Sequence, residues 1–516
     1  MPHDQPYLQA EKKIQQALRS GATSFELCSM NLTELPESIG QLTQLLFLDL
    51  RANRLTKIPE LPGNLFQLRT LYLSHNELIT LPESLGRLTQ LTELDLSSNQ
   101  LTTLPESLGQ LTKLTKLNLS DNQLTILPES LGQLTKLTEL NLSDNQLAIL
   151  PESLGRLTQL TNLNLSFNKL TTLPESLGQL TQLQMLDLYD NKFTSLPESL
   201  RYLTQLQSLD MSSNQLTLLP DWFGQLSNLK KLFLVWNDIK SLSPQIKNLH
   251  KLEELVLGSG DYYYRHTYYS YKEPKYSSNH TGFRLRPSHA NQLRELPNEI
   301  GNLSALRILS LGGNKLTDIP FSLAQLDDLE ILLLNDNPLN PDLAEAHIKG
   351  LKAVKAYLRT KVAKHQEKRT LKVFLCHASQ DKRIVHELYQ KFVAEGWIDP
   401  WLDAKKLLPG QDWQTEIRNA VETADNVIIF LSNTSINKDG FVQKELRLAK
   451  DIALEKSEGS VFLIPLRLDN CEVPRSLQIY QWADYFGDEQ EQTYSKLLES
   501  LKLRLEDIKH KKVYTK

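Results

Sequence analysis

Residues 81–103 read LPESLGRLTQLTELDLSSNQLTT, and residues 104–126 repeat this stretch almost letter for letter as LPESLGQLTKLTKLNLSDNQLTI. An asparagine returns at the same place in each copy, every 23 residues, at Asn53, Asn76, Asn99, Asn122, Asn145, Asn168, Asn191, Asn214 and Asn237. Strict repetition at this length predicts a solenoid, because one unit cannot bury its apolar face alone and must stack on its neighbours. We therefore expect the decisive chemistry to lie outside the repeats.

Within one copy, the spacing LxxLxL is set by Leu91, Leu94 and Leu96, and Asn99 and Leu101 follow. This pattern resembles the leucine-rich repeat family. The resemblance implies that LxxLxL is a strand of a parallel sheet on a concave face, and that the asparagine bonds to backbone groups of adjoining turns. A ladder of amides can satisfy backbone groups that tight turns leave unpaired, so we interpret the asparagines as structural. More divergent copies bring the count to thirteen turns, at Asn31, Asn291, Asn314 and Asn337.

Composition limits the classes of partner. The chain has 516 residues and a net charge of −4, which gives no global attraction to nucleic acid or to an anionic membrane. Its cysteines, Cys28, Cys376 and Cys471, are too far apart in sequence for a disulfide framework or a metal cluster, so we expect no metal site. No leader and no run of about 18 apolar residues is found, so we expect a soluble, cytoplasmic protein without a membrane partner.

Breaks in the repeat divide the chain into domains. We predict an N-terminal helical cap over 1–23, a solenoid over 24–340 with a tyrosine-rich insertion at about 258–290, a helical cap and basic linker over 341–370, and a second domain over 371–510. A chain of this length is too long for one ordinary core, which agrees with more than one structural unit.

The positions between the strand leucines are expected to point into the concavity. They are small or polar in the middle repeats, but become apolar or aromatic from the eighth turn onward, at Met185, Tyr189, Phe233, Val235, Trp236, Val256, Ile308 and Leu333. This change predicts an apolar strip on the concave surface that binds a protein or another macromolecular ligand. The residues that we expect to contact the ligand there are Met185, Tyr189, Phe233 and Trp236.

The insertion adds 31 residues and holds seven of the 17 tyrosines of the chain, interleaved with arginine and lysine. Tyrosine and arginine are enriched in recognition surfaces, so we assign ligand contacts also to Tyr262, Tyr263, Tyr264 and Arg265. A surface loop without function is the alternative, and the signal for nucleic-acid binding is weak. A long loop beside a sensing face is more often functional than idle.

From Leu371 the leucine period stops, and short apolar strands alternate with helical stretches. The predicted strands are LKVFLC (371–376), DPWLD (399–403), NVIIFLS (426–432) and VFLIPL (461–466). Helices are expected over 381–395, from 413, from 441 and over 490–505. Such alternation predicts a parallel sheet covered by helices on both faces.

Four segments in this region carry a second resemblance: VFLCHASQDK, WLDAKKLLPGQDWQTEIRNAV, VIIFLSNTS and GFVQKELRLA. Together, in order over 371–505, they resemble a Toll/interleukin receptor (TIR) domain of the bacterial type. The predicted fold class is thus α/β, a leucine-rich repeat horseshoe followed by a flavodoxin-like, doubly wound parallel-sheet domain. The resemblance also implies TIR–TIR association and, as in many members, cleavage of NAD⁺ to nicotinamide and ADP-ribose or a cyclic form.

The resemblance also assigns roles to single residues. Glu445 matches the catalytic glutamate, and one carboxylate beside the ribose can stabilise an oxocarbenium-like state. The positions matched to substrate binding are His377, Ser379, Asp403, Leu408 and Phe441, the last of which replaces a tryptophan common in enzymatic members. The loop matched to TIR–TIR contact is Leu407, Leu408, Pro409 and Gly410. NAD⁺ is the expected substrate, and no cofactor is expected.

These observations predict an intracellular sensor-effector in defence signalling. The repeats would bind a ligand, copies of the chain would associate, and the TIR domain would then act as an NAD⁺ nucleosidase, a glycohydrolase or cyclase. The alternative is a non-catalytic adaptor that works by TIR–TIR binding, for which Glu445 is dispensable and the loop 407–410 is essential. A purely structural interaction protein ranks last, because a scaffold alone does not explain four ordered motifs.

Overall fold

The structure is a computed structural model, and it describes residues 4–59, 65–258, 290–367, 370–378, 380–402, 413–436 and 463–514. The chain divides into two compact units, Met1–Thr360 and Lys361–Lys516. Within the described ranges, the first unit contains one sheet of thirteen parallel strands and the second contains one sheet of five. The predicted fold class, a repeat solenoid followed by a parallel-sheet α/β domain, is confirmed.

The strands of the first sheet are three residues long and lie side by side in sequence order. They are β1 Ser24–Glu26, β2 Phe47–Asp49, β3 Thr70–Tyr72, β4 Glu93–Asp95, β5 Lys116–Asn118, β6 Glu139–Asn141, β7 Asn162–Asn164, β8 Met185–Asp187, β9 Ser208–Asp210, β10 Lys231–Phe233, β11 Glu254–Val256, β12 Ile308–Ser310 and β13 Ile331–Leu333. Each strand pairs with its equivalent in the next repeat, as Leu94 does with Leu117. The register survives the insertion, because Leu255 pairs with Leu309.

The repeated asparagines connect successive turns through buried side-chain hydrogen bonds. Asn145 donates from Nδ2 to the carbonyl oxygens of Leu119 at 3.0 Å and Leu142 at 3.1 Å. Its Oδ1 accepts the Leu124 N–H at 3.0 Å. The same bonds recur in the neighbouring repeats, for example at Asn122. The prediction that the asparagines are structural is confirmed.

The first turn departs from this pattern. Asn31 was expected to join the ladder, but it is exposed and its backbone is left-handed, with φ of 57°. Met30 occupies the ladder position, and Asn53 Oδ1 accepts the N–H groups of Met30 and Leu32. The assignment of Asn31 is therefore wrong by one residue, although the count of thirteen turns is confirmed by the thirteen strands of the described residues.

In eleven turns of the described residues, a short 3₁₀ helix begins at or directly after a proline. These helices are Glu37–Gln41, Glu83–Arg87, Glu106–Gln110, Glu129–Gln133, Glu152–Arg156, Glu175–Gln179, Glu198–Tyr202, Asp221–Gln225, Pro244–Asn248, Asn298–Asn302 and Phe321–Gln325. Successive helices approach closely, since a Cβ added to Gly109 would lie 2.4 Å from the carbonyl oxygen of Ser130. Glycine at this position thus permits turns to stack at strand spacing.

Helices flank the repeats in the first unit. They are α1 Gln5–Ser20, α2 Pro341–Ile348 and α3 Leu351–Glu367, the last of which extends beyond Thr360. Asp4 precedes helix α1 and caps it, because its side chain accepts the Tyr7 N–H at 2.9 Å. It buries Ile14 against the leucine core, as Val354 and Leu358 of α3 do at the other end. These contacts cover the terminal apolar faces of the stack.

The second unit is a doubly wound parallel sheet. Its strands are β14 Leu371–Cys376, β15 Ile398–Trp401, β16 Asn426–Leu431, β17 Leu463–Arg467 and β18 Ala483–Asp484, in the order β15-β14-β16-β17-β18. Its helices are α4 Lys382–Ala394, α5 Trp413–Thr423, α6 Asn433–Ile436 and α7 Gln490–Tyr514, with 3₁₀ segments at Arg475–Leu477 and Gly487–Glu489. Two apolar clusters contain alternate residues of β14, such as Val373 and Phe374, which places a core on each face of the sheet. We find no candidate membrane span among the helices of the described residues.

The asparagine ladder generates a stability prediction. Replacing Asn145 by alanine leaves buried backbone groups without partners, and each such group costs about 1–3 kcal/mol. We expect Asn145→Ala to lower the free energy of unfolding by at least about 3 kcal/mol, measured by urea denaturation of the full chain followed by circular dichroism.

Asn337→Ala is the matched control. Asn337 makes equivalent bonds to Leu311, Leu334 and Leu316, but the site is only partly buried, so that water can replace the amide. We expect a clearly smaller loss for this variant. Equal losses at Asn145 and Asn337 would contradict the view that burial makes the ladder essential.

Candidate functional site

The second unit presents its candidate site where the strand order of the sheet reverses. In open α/β sheets, ligands bind outside the carboxyl ends of the strands at such a switch point. Here β15 lies on one side of β14 and β16 lies on the other, so the reversal falls between β14 and β16. His377 and Ala378 follow the carboxyl end of β14, and Ser432 follows that of β16.

A buried polar contact joins the segments that follow these two strands. The Ser432 hydroxyl donates to Asp381 Oδ2 at 3.0 Å, and both side chains are buried. Burial raises the pKa of the Asp381 carboxyl, the neighbouring Asp469 adds to this rise, and the Ser432 hydrogen bond and His377 offset part of it. His377 is itself buried, with Nδ1 3.4 Å from the carbonyl oxygen of Leu375. The edge therefore holds a carboxyl, a hydroxyl and an imidazole.

A second acidic residue fixes the loop after β16. The Asn433 N–H donates to both carboxylate oxygens of Asp469, at 3.1 Å and 3.0 Å. Asp469 follows β17, so this contact holds the end of β16 against the end of β17. Ser435 completes the turn, because its Oγ accepts the Ser432 N–H at 2.7 Å. The switch point thus has a hydrogen-bonded frame.

The structure brings one of the residues predicted for substrate binding to this edge. His377 lies directly after β14, as a ligand-contacting residue of this fold should. The other predicted residues of this site lie outside the described residues: Ser379, Asp403, Leu407, Leu408, Pro409, Gly410, Phe441 and Glu445. Their roles, and the substrate-binding role of His377, stay predictions.

Asp381 and Ser432 were not singled out from the sequence. Both lie inside motifs that carry the TIR resemblance, CHASQDK and VIIFLSNTS. The available signal was a polar residue soon after each of two buried strands that were expected to be parallel. Their mutual contact depends on β14 and β16 being neighbours, which the alternation of strands and helices does not specify.

Two other residues of this unit have packing roles. The ring of Trp401 stacks on Phe374, with centroids 4.9 Å apart and an interplanar angle of 18°. Cys376 is fully buried within the same apolar cluster. In the described residues, no group of three histidine, cysteine or acidic side chains is arranged to hold a metal ion.

In the first unit, the concave face differs from the predicted apolar strip. Phe233 is only 5% exposed, and Val235 and Val256 are completely buried, so these three side chains form a small core. Tyr189 and Trp236 pack against that core and remain half-buried. The expectation of an apolar strip on the concave surface is therefore wrong at these three positions, whose side chains pack against one another, and at Ile308, which is also buried.

Of the residues predicted to contact a ligand, Met185, Tyr189 and Trp236 are half-buried and Phe233 is buried. Their role in ligand recognition stays a prediction. The remaining predicted contacts, Tyr262, Tyr263, Tyr264 and Arg265, lie outside the described residues.

The ring of Tyr189 contacts two other aromatic rings, those of Phe167 and Trp236. The Phe167 ring meets that of Tyr189 edge-on, with centroids 4.9 Å apart, and the Trp236 ring lies 6.3 Å from Tyr189 at 65°. Phe167 and Trp236 both occupy left-handed positions, with φ of 53° and 55°. Sequence reasoning missed Phe167, although it stands where the neighbouring repeats carry aspartate, at Asp144 and Asp190.

Two carboxylates face each other beside these rings. Asp187 of β8 is in register with Asp210 of β9, and neighbouring strands lie about 4.8 Å apart. Burial raises the pKa of Asp187, the adjacent Asp210 carboxylate raises it further, and the hydrogen bond from the Tyr189 N–H offsets part of the rise. Ionising Asp187 therefore costs free energy in the folded protein.

Because ionisation of Asp187 costs free energy in the folded protein, a neutral residue at this position should stabilise the fold. The raised pKa of Asp187 means that the folded protein loses stability as the pH rises through the titration of this group. We expect Asp187→Asn to increase the free energy of unfolding at neutral pH by on the order of 1 kcal/mol. The gain should vanish below the pKa of an unfolded aspartate, about 3.9, and urea denaturation at several pH values measures it.

Asp95→Asn is the control for this prediction, because the register partners of Asp95 are Tyr72 and Asn118 and neither is acidic. We expect a smaller change for this variant. A lower free energy of unfolding for Asp187→Asn at neutral pH would show that the charge of Asp187 does not destabilise the fold.

The two units match different protein families. The family described as a leucine-rich repeat region matches residues 60–173 and 151–265. The family described as a TIR domain matches residues 373–498, which include the whole of the β14/β16 switch point. A comparison with curated proteins finds no match.

Solved structures resemble the first unit. A leucine-rich repeat protein of Leptospira interrogans is 34% identical, with a TM-score of 0.51, and the match covers 63% of this chain and 80% of that one. An internalin of Listeria monocytogenes is 23% identical, with a TM-score of 0.53 and coverage of 65% and 91%. The internalin likeness supports the fold alone.

The fold and the two family matches define a modular protein that joins a recognition scaffold to a doubly wound α/β domain. The chain belongs to the leucine-rich repeat proteins and carries a TIR domain over residues 373–498. This combination indicates a role in signalling or sensing.

Proposed function

We propose that this protein is a cytoplasmic sensor and effector, in which the repeats recognise a protein ligand and the TIR domain cleaves NAD⁺ upon self-association. The observation that carries the proposal is the TIR match over a sheet whose switch point presents a buried histidine and a buried acid, His377 and Asp381. The repeats of the same chain supply a recognition surface. Defence signalling is the biological setting that we propose.

In the proposed reaction, NAD⁺ reacts with water to give nicotinamide, ADP-ribose and a proton. In the alternative cyclisation, NAD⁺ gives nicotinamide, a cyclic form of ADP-ribose and a proton. Nicotinamide leaves as a neutral molecule, so the bond breaks through an oxocarbenium-like state without a strong acid. We assign to Glu445 the stabilisation of that state through its carboxylate and the ribose hydroxyls. This assignment is carried over from the TIR resemblance.

Hydrogen bonds order the loops at the carboxyl ends of the strands before a substrate binds. The Asp381–Ser432 hydrogen bond and the Asn433–Asp469 contacts hold the loops after β14, β16 and β17 in place. A substrate bound there meets groups that are already ordered, which lowers the entropic cost of the reaction. NAD⁺ is the substrate in this proposal, and the site requires no resident cofactor.

Self-association completes the proposal. We assign TIR–TIR contact to the loop of Leu407, Leu408, Pro409 and Gly410, following the family resemblance. A ligand on the repeats switches the enzyme only if it binds the associated state more tightly than the single chain. The thiols of Cys28, Cys376 and Cys471 are compatible with the reducing cytoplasm, where NAD⁺ is available.

The enzymatic claim is tested by substituting Glu445 in the full chain. We expect Glu445→Gln to lower nicotinamide release from NAD⁺ by at least about a hundredfold, because the variant cannot stabilise the developing positive charge. Chromatography of the released nicotinamide measures the rate, and size-exclusion chromatography verifies the folding of each variant.

Glu499→Gln is the matched control, since Glu499 is an exposed glutamate of α7 and should not affect the rate. Unchanged release by Glu445→Gln would refute the catalytic assignment. If no protein released nicotinamide although the chain associated through the loop 407–410, the non-catalytic adaptor would be the better account.

A further inference from the structure

The concave face at β8 and β9 carries charges that the repeat does not need for its own hydrogen bonds. In the three preceding turns, the equivalent residues are Asn118, Asn141 and Asn164, and each accepts the N–H two residues on at 2.9–3.1 Å. Asp187 and Asp210 accept the same type of bond, at 3.0 Å and 2.8 Å. An amide oxygen is therefore sufficient for this bond. A single aspartate also serves elsewhere, as Asp95 does for the Ser97 N–H. The feature particular to β8 and β9 is that two aspartates, Asp187 and Asp210, are in register in neighbouring strands.

The charge is unfavourable for the solenoid itself. Asp187 and Asp210 stand directly opposite each other in neighbouring strands, and like charges in that arrangement destabilise a sheet. Asp190 adds a third carboxylate, which accepts the Ser213 hydroxyl at 3.2 Å. Groups that are costly to the fold and unnecessary for local hydrogen bonds often serve binding.

Aromatic rings lie on the same part of this face. Tyr189 lies beside Asp187, because its N–H donates to Asp187 Oδ1 at 3.0 Å, and the Trp236 ring packs near that of Tyr189. The Asp187, Tyr189 and Trp236 side chains are half-buried and thus still reach the surface, whereas Asp210 is buried beside Asp187. Carboxylates together with aromatic rings form an environment that favours a cation, through ion pairing and cation–π attraction.

We propose that this acidic and aromatic patch, formed by Asp187, Asp210, Tyr189 and Trp236, binds a cationic side chain of a protein ligand. Arginine fits best, because its planar guanidinium can bond to carboxylates and stack on a ring at the same time. The inference rests on the proposed recognition function of the repeats and specifies the chemistry of the ligand.

The experiment measures binding of a fluorescein-labelled hexa-arginine peptide to the full chain by fluorescence anisotropy. A labelled hexaserine peptide reports binding that does not depend on charge. We expect the double variant Asp187→Asn/Asp210→Asn to weaken hexa-arginine binding by at least about tenfold, in line with the loss of a close charge pair. Asparagine occupies the same position in three other turns, so the variant should fold, and circular dichroism verifies this.

Two further variants test whether binding depends on the position of the charge and on the Trp236 ring. Asp95→Asn removes one charge from the equivalent position of β4, away from the patch, and should change the affinity by less than about twofold. Trp236→Ser removes the ring, and serine already occupies the equivalent left-handed position at Ser98 and Ser213. We expect Trp236→Ser to weaken binding about threefold, as the loss of one cation–π contact implies.

Equal effects of Asp95→Asn and the double variant would overturn the proposal, because they would show attraction to overall charge alone. An unchanged affinity of the double variant, or equal binding of hexaserine, would overturn it as well. The assay contains no NAD⁺, so a failure of the enzymatic proposal leaves this result unaffected, and a failure here leaves the test of Glu445 intact.

Discussion

The hydrogen bonds of the buried asparagine ladder are the constraint on which the first unit depends. Each amide satisfies carbonyl groups of two successive turns and an N–H of the preceding repeat, as Asn145 does for Leu119, Leu142 and Leu124. A turn that lost these bonds would bury unpaired backbone groups at a cost of about 1–3 kcal/mol each. The ladder therefore fixes the spacing of the turns, and with it the columns of side chains on the concave face.

Once the columns are fixed, the concave face can vary without loss of the scaffold. The asparagines that end β5 to β7 show that the hydrogen bonds of the repeat need no charge at this position. Asp187 and Asp210 oppose each other at an energetic cost, and Tyr189 and Trp236 place rings in the same region. The central residues of these strands, such as Leu186 and Leu209, belong to the leucine core, so a change on the concave face leaves that core intact.

Much of the fold could be predicted from the sequence, since both the 23-residue period and the strand–helix alternation reflect local patterns. The burial of Phe233, Val235 and Val256 could not, because it depends on side chains from different turns that fill one space. The Asp381–Ser432 contact required the strand order, which has no local signature. The displaced Asn31 shows that a terminal repeat need not follow the ladder. The role of Glu445 depends on family resemblance, and it stays a prediction.

In the proposed function, a ligand on the repeats brings TIR domains together, and NAD⁺ cleavage requires neighbouring copies of the chain. The most direct measurement is nicotinamide release per mole of full-length protein over a range of protein concentrations, with the oligomeric state measured in parallel. We expect nicotinamide release per mole of protein to rise steeply as the chains associate. A constant rate per mole across that transition would contradict it, because a single chain would then be a complete enzyme.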